Sequence, residues 1–230
     1  IAGQVLASTL GLLGLAKTLG AMCEAVNLLY PEDNRTIDDF RPYIAEGFPW
    51  HTPNIERSEW NGKPELWWEV FYQRVFSRAF TSLGYSNALG LSELARSEFI
   101  NVNTWRLYDD VLPVLSELKE LGWIHVIVSN HIPELKEIII HLSIGDLIED
   151  VINSADIGYE KPNPKIFEYA LQKYNGEHIW MIGDSVIADI KGAEKVGIKG
   201  ILVRNCDDSI DEKFMDLYEL KDFLSRSKNP

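Results

Sequence analysis

The sequence predicts an α/β fold, a doubly wound parallel sheet interrupted by an inserted helical domain. Its second half alternates short apolar runs of strand length with helical patterns, which is typical of a parallel sheet covered on both faces. Its first half is rich in aromatic residues and, after residue 14, has no clear run with a period of two. With 230 residues, the chain can form one sizeable core and a small accessory domain.

Four apolar runs are predicted as strands because each is short and bounded by turn or charged residues. They cover residues 4–9, 123–128, 179–182 and 200–203. Helical patterns, with apolar residues three and four positions apart, cover residues 111–121, 133–142, 164–174 and 187–196. We therefore predict an α/β core domain from residues 1–13 and 104–230, and a helical domain from residues 14–103.

The aromatic residues of the helical domain are interpreted as the core of a small bundle. Trp67, Trp68 and Phe71 fall near helical spacing, and such a stripe is more often packed inside a bundle than used to stack a ligand.

Composition excludes several classes of protein. The chain has 22 basic and 35 acidic residues, a formal net charge of −13, and no run of Lys or Arg, so we expect no nucleic-acid partner. Residues 1–20 are broken by glycines and never reach the roughly 18 consecutive apolar residues of a bilayer span, so no membrane association is expected. Two cysteines are too few for a disulfide framework, which favours a cytoplasmic location.

Polar residues follow the predicted strands where a parallel sheet binds its ligands. Ser129 and Asn130 follow the second strand, Asp184 follows the third, and Lys161 opens the helix between them. A hydroxyl and a lysine suit a phosphate group, and a carboxylate suits a hard cation such as Mg²⁺. Asp189 lies near the start of the next helix, where it could brace Lys161 or a metal-bound water.

Each of these residues also has an ordinary interpretation. Ser129 and Asn130 could cap a helix, Lys161 could be a solvated loop lysine, and Asp184 could accept from the first amides of a helix. Three polar groups at the strand ends of one sheet edge nevertheless favour a ligand site.

Three segments resemble motifs of the haloacid dehalogenase-like hydrolases. They are residues 126–130 (Val-Ile-Val-Ser-Asn), 161–167 (Lys-Pro-Asn-Pro-Lys-Ile-Phe) and 182–185 (Ile-Gly-Asp-Ser) followed by Asp189. The insertion is similar to the helical cap of that family. The resemblance implies a Rossmann-like core and a Mg²⁺-dependent phosphatase acting on a small phosphomonoester, as a monomer or homodimer. It further implies that Ser129, Asn130 and Lys161 bind the substrate phosphate, with Lys161 also a catalytic residue, and that Asp184 binds the metal, with Asp189 behind it.

The first motif of the family, Asp-x-Asp-Gly-Thr, is not matched. Residues 5–13 align best, which places Ser8 at the nucleophile, Leu10 at the general acid/base and Leu12 at the threonine. The family reaction needs an aspartyl-phosphate and a second Asp that protonates the leaving alcohol. A serine without a base is a poor nucleophile, leucine transfers no proton, and the missing Asp removes a metal ligand.

Three explanations of this departure stay open. The first is an ordinary phosphatase whose initial residues are altered in this chain, which begins with Ile rather than Met. The second is a catalytically inactive member that binds a phosphorylated ligand or acts as a scaffold. The third is another reaction at the same sheet edge, or an unrelated doubly wound protein.

Two other α/β classes fit less well. A dinucleotide-binding module is disfavoured because no G-x-G-x-x-G follows the first strand, and a receiver domain lacks a long helical insertion. The five histidines are expected to be structural. His131 is the exception, because it follows Asn130 and could reach the mouth of the pocket.

Overall fold

The computed structural model describes residues 3–8, 14–57, 59, 63–176 and 178–226. Its centre is a parallel sheet whose strands are β1 (Gly3–Ala7), β2 (Trp123–Ser129), β3 (Asp150–Asn153), β4 (Ile179–Gly183), β5 (Lys199–Val203) and β6 (Lys213–Phe214). The order across the sheet is β3-β2-β1-β4-β5-β6, and every neighbouring pair is parallel. The predicted doubly wound α/β fold is therefore confirmed, with β1 between β2 and β4.

Helices precede and follow these strands. The α-helices are α1 (Gly14–Leu29), α2 (Ile37–Phe40), α3 (Pro64–Phe71), α4 (Ser77–Ser82), α5 (Ala88–Ile100), α6 (Val111–Glu120), α7 (Leu135–His141), α8 (Ser154–Ile157), α9 (Pro164–Lys173), α10 (Gly192–Glu194) and α11 (Leu217–Arg226). Tyr72–Phe76 and Val186–Lys191 are π-helical, and 3-10 turns include Arg41–Ile44 and Pro49–His51. No helix within these described elements has the length and apolarity needed to cross a membrane.

Both faces of the sheet are buried, which explains why its strands are almost continuously apolar. Val5 and Ala7 of β1 pack in one cluster with residues of α6 and α11. Leu6, between them, packs in a second cluster with residues of α9. Alternate residues of one strand therefore cover opposite faces, as the pleat of a strand requires.

Helices α1 to α5 pack around a shared apolar core, so the fold carries a helical cap. Trp67 and Trp68 are each only 2% exposed, and the ring centroids of Trp67 and Phe71 lie 4.4 Å apart. The aromatic stripe is thus a packed core, as predicted. The described residues 14–57, 59 and 63–103 contain no strand. Residues 9–13, where the insertion is predicted to leave the core domain, lie outside the described residues, and the exact domain boundaries remain predictions.

The cap is joined to the sheet domain by polar and apolar contacts. The indole nitrogen of Trp68 donates to the Glu134 carboxylate at 2.8 Å, and the amide of Asn163 donates to the Pro53 carbonyl at 2.9 Å. The apolar cluster of the cap also includes Ile132 and Ala155 of the sheet domain. The cap therefore sits directly over the edge that carries the predicted site.

Several elements differ from the sequence prediction. Strands β3 and β6 were not predicted, because β3 has only two apolar residues and β6 only two residues in all. The strand predicted over residues 4–9 ends at Ala7, and Thr9 lies outside the described residues. The helix predicted over residues 187–196 is a π-helical turn followed by α10.

Candidate active site

The carboxyl ends of three neighbouring strands create the candidate site. In the sheet register, Ala7 of β1 lies opposite Ile127 of β2 and Ile182 of β4. Ser8 comes directly after β1, and its backbone N–H donates to the Ile182 carbonyl at 2.7 Å. The residues that follow these strands are consequently neighbours, although they lie far apart in the sequence.

Lys161 is the centre of this arrangement. Its ammonium donates to the Asp189 carboxylate at 2.6 Å, to the Val128 carbonyl at 2.8 Å and to the Ser8 hydroxyl at 3.3 Å. The side chain is only 3% exposed. A lysine buried this deeply has to be paired, and Asp189, 1% exposed, supplies the opposite charge. The structure therefore brings together Ser8, Lys161 and Asp189, all three of which the sequence analysis had selected.

Asn130 holds the main chain of Lys161 in place. Its side-chain oxygen accepts from the Lys161 N–H at 2.7 Å, and its amide nitrogen donates to the Lys161 carbonyl at 2.9 Å. This pair of bonds fixes the loop from which the lysine extends. A direct contact of Asn130 with phosphate stays a prediction, because its side-chain amide already serves the lysine loop.

Ser129 ends β2 at the same edge and is 1% exposed. It lies opposite Asn153 in the register of β2 and β3. The structure thus places Ser129 at the predicted edge of the sheet, and its role in phosphate binding stays a prediction.

The turn after β4 presents Asp189 to the lysine. Ser185 caps the π-helical turn, accepting from the Ala188 N–H at 3.1 Å, and its own N–H donates to the Asp189 carboxylate at 3.0 Å. A Cβ atom on Gly183 would lie only 2.2 Å from an oxygen of Asp189. Glycine is therefore required at the end of β4 for the carboxylate to approach the strand this closely.

Asp184 is exposed at the same edge. Partial desolvation by the surrounding protein, and then the charge of Asp189, raise the pKa of Asp184 above its usual value. The carboxylate nevertheless reaches solvent and is available to a cation. Among the residues that the structure describes, no group of three acidic, histidine or cysteine side chains is placed to hold a metal ion.

The position of the predicted nucleophile is only partly described. Ser8 is buried and the side chain is 7% exposed, whereas Leu10 and Leu12 lie outside the described residues. In the described part of the chain, the Ser8 hydroxyl has no carboxylate or imidazole partner that could remove its proton. The Lys161 ammonium donates to the Ser8 hydroxyl in the hydrogen bond between them.

A cavity of about 630 Å³ lies between the cap and this edge of the sheet, and we call it the interdomain cavity. The described residues that line it are Thr18, Arg41, Ile44, Ala45, His51, Phe99, Asn130, His131, Ile132, Lys161, Pro162, Ser185, Ile187 and Ala188. His131 is buried here beside Trp105, and desolvation lowers the pKa of His131 to about 4. Its imidazole is therefore neutral at pH 7, and His131 lies in the wall of the interdomain cavity.

One buried acidic group of the site was missed by the sequence analysis. Glu160 is 2% exposed, and desolvation raises the pKa of Glu160 to about 7. Its position beside Lys161 in the sequence was the only available signal, because burial of the carboxyl depends on packing between separate segments.

Comparison with known proteins agrees with this geometry. The profile of the haloacid dehalogenase-like hydrolases matches residues 19–197. The chain belongs to this family. The crystal structure of the HAD-hydrolase YfnB from Bacillus subtilis, bound to magnesium, superposes with a TM-score of 0.73 and covers 97% of this chain and 98% of its own, at 22% identity. At that identity, the likeness shows the fold.

Curated relatives of this chain include phosphatases. A glyceraldehyde 3-phosphate phosphatase from Methanopyrus kandleri is 35% identical over 100 residues, which are 42% of this chain and 43% of the relative. A phosphoserine phosphatase from Thermus thermophilus is 27% identical over 140 residues, which are 60% of this chain and 56% of the relative. The chain thus matches only about half the length of these relatives.

Proposed function

We propose that this chain binds a small phosphate monoester in the site of a Mg²⁺-dependent phosphatase, and that as it stands it hydrolyses the ester at or near the background rate. The observation that carries the proposal is the buried ammonium of Lys161, which meets Ser8 at the carboxyl ends of β1 and β2. A fixed cation at such an edge suits a phosphate oxygen, which would replace the Ser8 hydroxyl, the most distant of its three acceptors at 3.3 Å. The family membership and the phosphatase relatives support a small phosphorylated ligand.

Mg²⁺ fits the donors at this edge. Mg²⁺ usually binds through one or two carboxylates and keeps several waters or phosphate oxygens as its other ligands. Asp184 is the exposed carboxylate that would hold it, while Asp189 is engaged by Lys161 and by the Ser185 N–H. When bound, the ion would supply positive charge that neutralises the phosphate.

The expected lack of turnover follows from Ser8 and Leu10. No carboxylate or imidazole among the described residues contacts the Ser8 hydroxyl, and Lys161 donates to it. Leu10, aligned with the family's acid/base, has no ionisable group that could protonate a leaving alcohol. The residues that would bind phosphate are present, and those that would break the ester bond are absent.

The test restores the two carboxylates together. Ser8→Asp combined with Leu10→Asp should raise Mg²⁺-dependent hydrolysis of p-nitrophenyl phosphate by about 10² or more, because each group typically contributes about that factor. Each single substitution should do little, since the two groups serve successive steps of one reaction. The matched control is Ser8→Asn combined with Leu10→Asn, which has the same shape without the charges.

Binding is measured separately by calorimetric titration of inorganic phosphate with Mg²⁺. The unmodified chain should bind phosphate, and Lys161→Met should lose that binding. Absence of phosphate binding in the unmodified chain would overturn the proposal. Robust hydrolysis by the unmodified chain, abolished by Asp184→Asn, would instead show that turnover does not need the two missing carboxylates.

A further inference from the structure

The charge pattern of the interdomain cavity carries an inference about its ligand. The chain has a formal net charge of −13, yet none of the described residues that line this cavity is acidic. Two of them, Arg41 and Lys161, are basic. In such an acidic protein, a cavity wall whose described residues include no acidic side chain favours an anionic ligand.

The two basic residues differ in how far their charges are already compensated. Lys161 forms a buried ion pair with Asp189. Arg41 forms an ion pair with Asp38 through its Nε atom, at 3.3 Å from the carboxylate oxygen. The side chains of Arg41 and Asp38 are both more than half exposed. Its terminal nitrogens have no hydrogen-bond partner among the described residues, and an exposed pair of this kind is weak. The Arg41 guanidinium is thus available to a ligand.

Apolar side chains form much of the remaining wall. Ile44 and Phe99 come from the cap, and Ile132, Pro162 and Ile187 come from the sheet domain. Ile187 is a large apolar residue of this wall, and its side chain is 65% exposed. A wall of this kind gains free energy by covering an apolar body rather than a short polyol chain.

We propose that the ligand is a phosphate monoester whose organic part is apolar and carries a second anionic group, and that Arg41 binds this second group. The inference rests on the proposed function, because Lys161 is assigned to the phosphate. Arg41 is then the residue that selects phosphate esters with a second anionic group over simple phosphate esters. Guanidinium suits a carboxylate because its two terminal nitrogens can donate to both oxygens.

The test uses phosphonates, which bind without being hydrolysed. Dissociation constants are measured calorimetrically, with Mg²⁺, for methylphosphonate, phenylphosphonate, and 3- and 4-phosphonobenzoate. The fifth ligand is 4-carbamoylphenylphosphonate, in which an uncharged amide replaces the carboxylate. Phenylphosphonate should bind about tenfold more tightly than methylphosphonate because of the apolar wall. At least one phosphonobenzoate should bind about fivefold to tenfold more tightly than phenylphosphonate. The ligand with the uncharged amide should bind no more tightly than phenylphosphonate.

Variants assign this gain to one residue. Arg41→Gln should remove the gain from the carboxylate and should change the affinity for phenylphosphonate by a much smaller factor. Arg226→Gln is the matched control. Arg226 is an exposed arginine of α11 whose Nε atom donates to the Asp222 carbonyl, and it does not line the cavity. This control should retain the full gain.

The outcomes separate the inference from the proposed function. If the carboxylate gives no gain, or weakens binding as the overall negative charge would dictate, the inference is overturned while methylphosphonate binding upholds the phosphate site. If the gain persists in Arg41→Gln, the assignment to Arg41 is wrong. If no phosphonate binds at all, the proposed function fails, and the inference fails with it.

Discussion

The buried pair of Lys161 and Asp189 makes a measurable contribution to stability that can be worked out from its geometry. Asp189→Asn preserves the shape of the side chain and leaves the Lys161 ammonium without its opposite charge. Removing one partner of a buried ion pair costs about 3–5 kcal/mol. Lys161 keeps two acceptors, the Val128 carbonyl at 2.8 Å and the Ser8 hydroxyl at 3.3 Å, so we expect a loss near the lower end, about 3 kcal/mol.

The assay is urea unfolding at pH 7, followed by circular dichroism and tryptophan fluorescence. Lys161→Met combined with Asp189→Asn should recover most of the lost stability, because no unpaired charge is then left buried. The control is Glu194→Gln, which breaks the exposed pair with Lys191 at 3.1 Å and should change stability by less than about 1 kcal/mol. If Asp189→Asn costs no more than this control, or if the double variant is no more stable than Asp189→Asn, the pair is not desolvated and the reasoning is refuted.

Two further predictions concern the same part of the site. Gly183→Ala should destabilise the protein by about 1–3 kcal/mol in urea unfolding and weaken phosphate binding, because the new methyl group would lie 2.2 Å from Asp189; an unchanged midpoint would contradict this. The pKa of Glu160 is raised to about 7 in the folded state, so the folded protein binds more protons than the unfolded chain between about pH 4.5 and pH 7, and its stability should fall as pH rises through that range. Relative to Glu160→Gln, the wild-type chain should lose about 3 kcal/mol between these pH values, and parallel stability profiles of the two proteins would contradict the burial of this carboxyl.

The part of the site that the sequence predicted follows from parallel-sheet geometry. Ser8 and Lys161 lie 153 residues apart in the chain, yet their side chains are in hydrogen-bond contact. They are neighbours because the carboxyl ends of parallel strands meet at one edge, which brings together residues that follow separate strands. Of the two partners that the sequence left open for Asp189, Lys161 or a metal-bound water, the structure places the lysine ammonium 2.6 Å from its carboxylate.

The position of Arg41 in the cavity and the existence of strand β3 depend on contacts between distant segments, which no local sequence pattern encodes. Arg41 reaches the interdomain cavity only because the cap is docked on the sheet domain by contacts such as Trp68 with Glu134 and Asn163 with Pro53. The second of these joins residues 110 positions apart. Strand β3 is similar, since its pairing with β2 rather than its own composition makes it a strand. Tertiary packing of this kind overrides weak local preferences.

The charges at the phosphate edge indicate what a serine at position 8 changes. Lys161 and Asp189 cancel each other's charge, and Asp184 adds a carboxylate, so a phosphate dianion meets no net positive charge there unless a cation is bound. An aspartate at position 8 would add one more negative charge beside the Lys161 ammonium. In the Ser8→Asp variants, phosphate affinity without Mg²⁺ should therefore fall, while the gain in affinity on adding Mg²⁺ should become larger. With serine at position 8, phosphate binding should therefore depend less on Mg²⁺ than with aspartate, and the cost of that serine is the nucleophile that turnover requires.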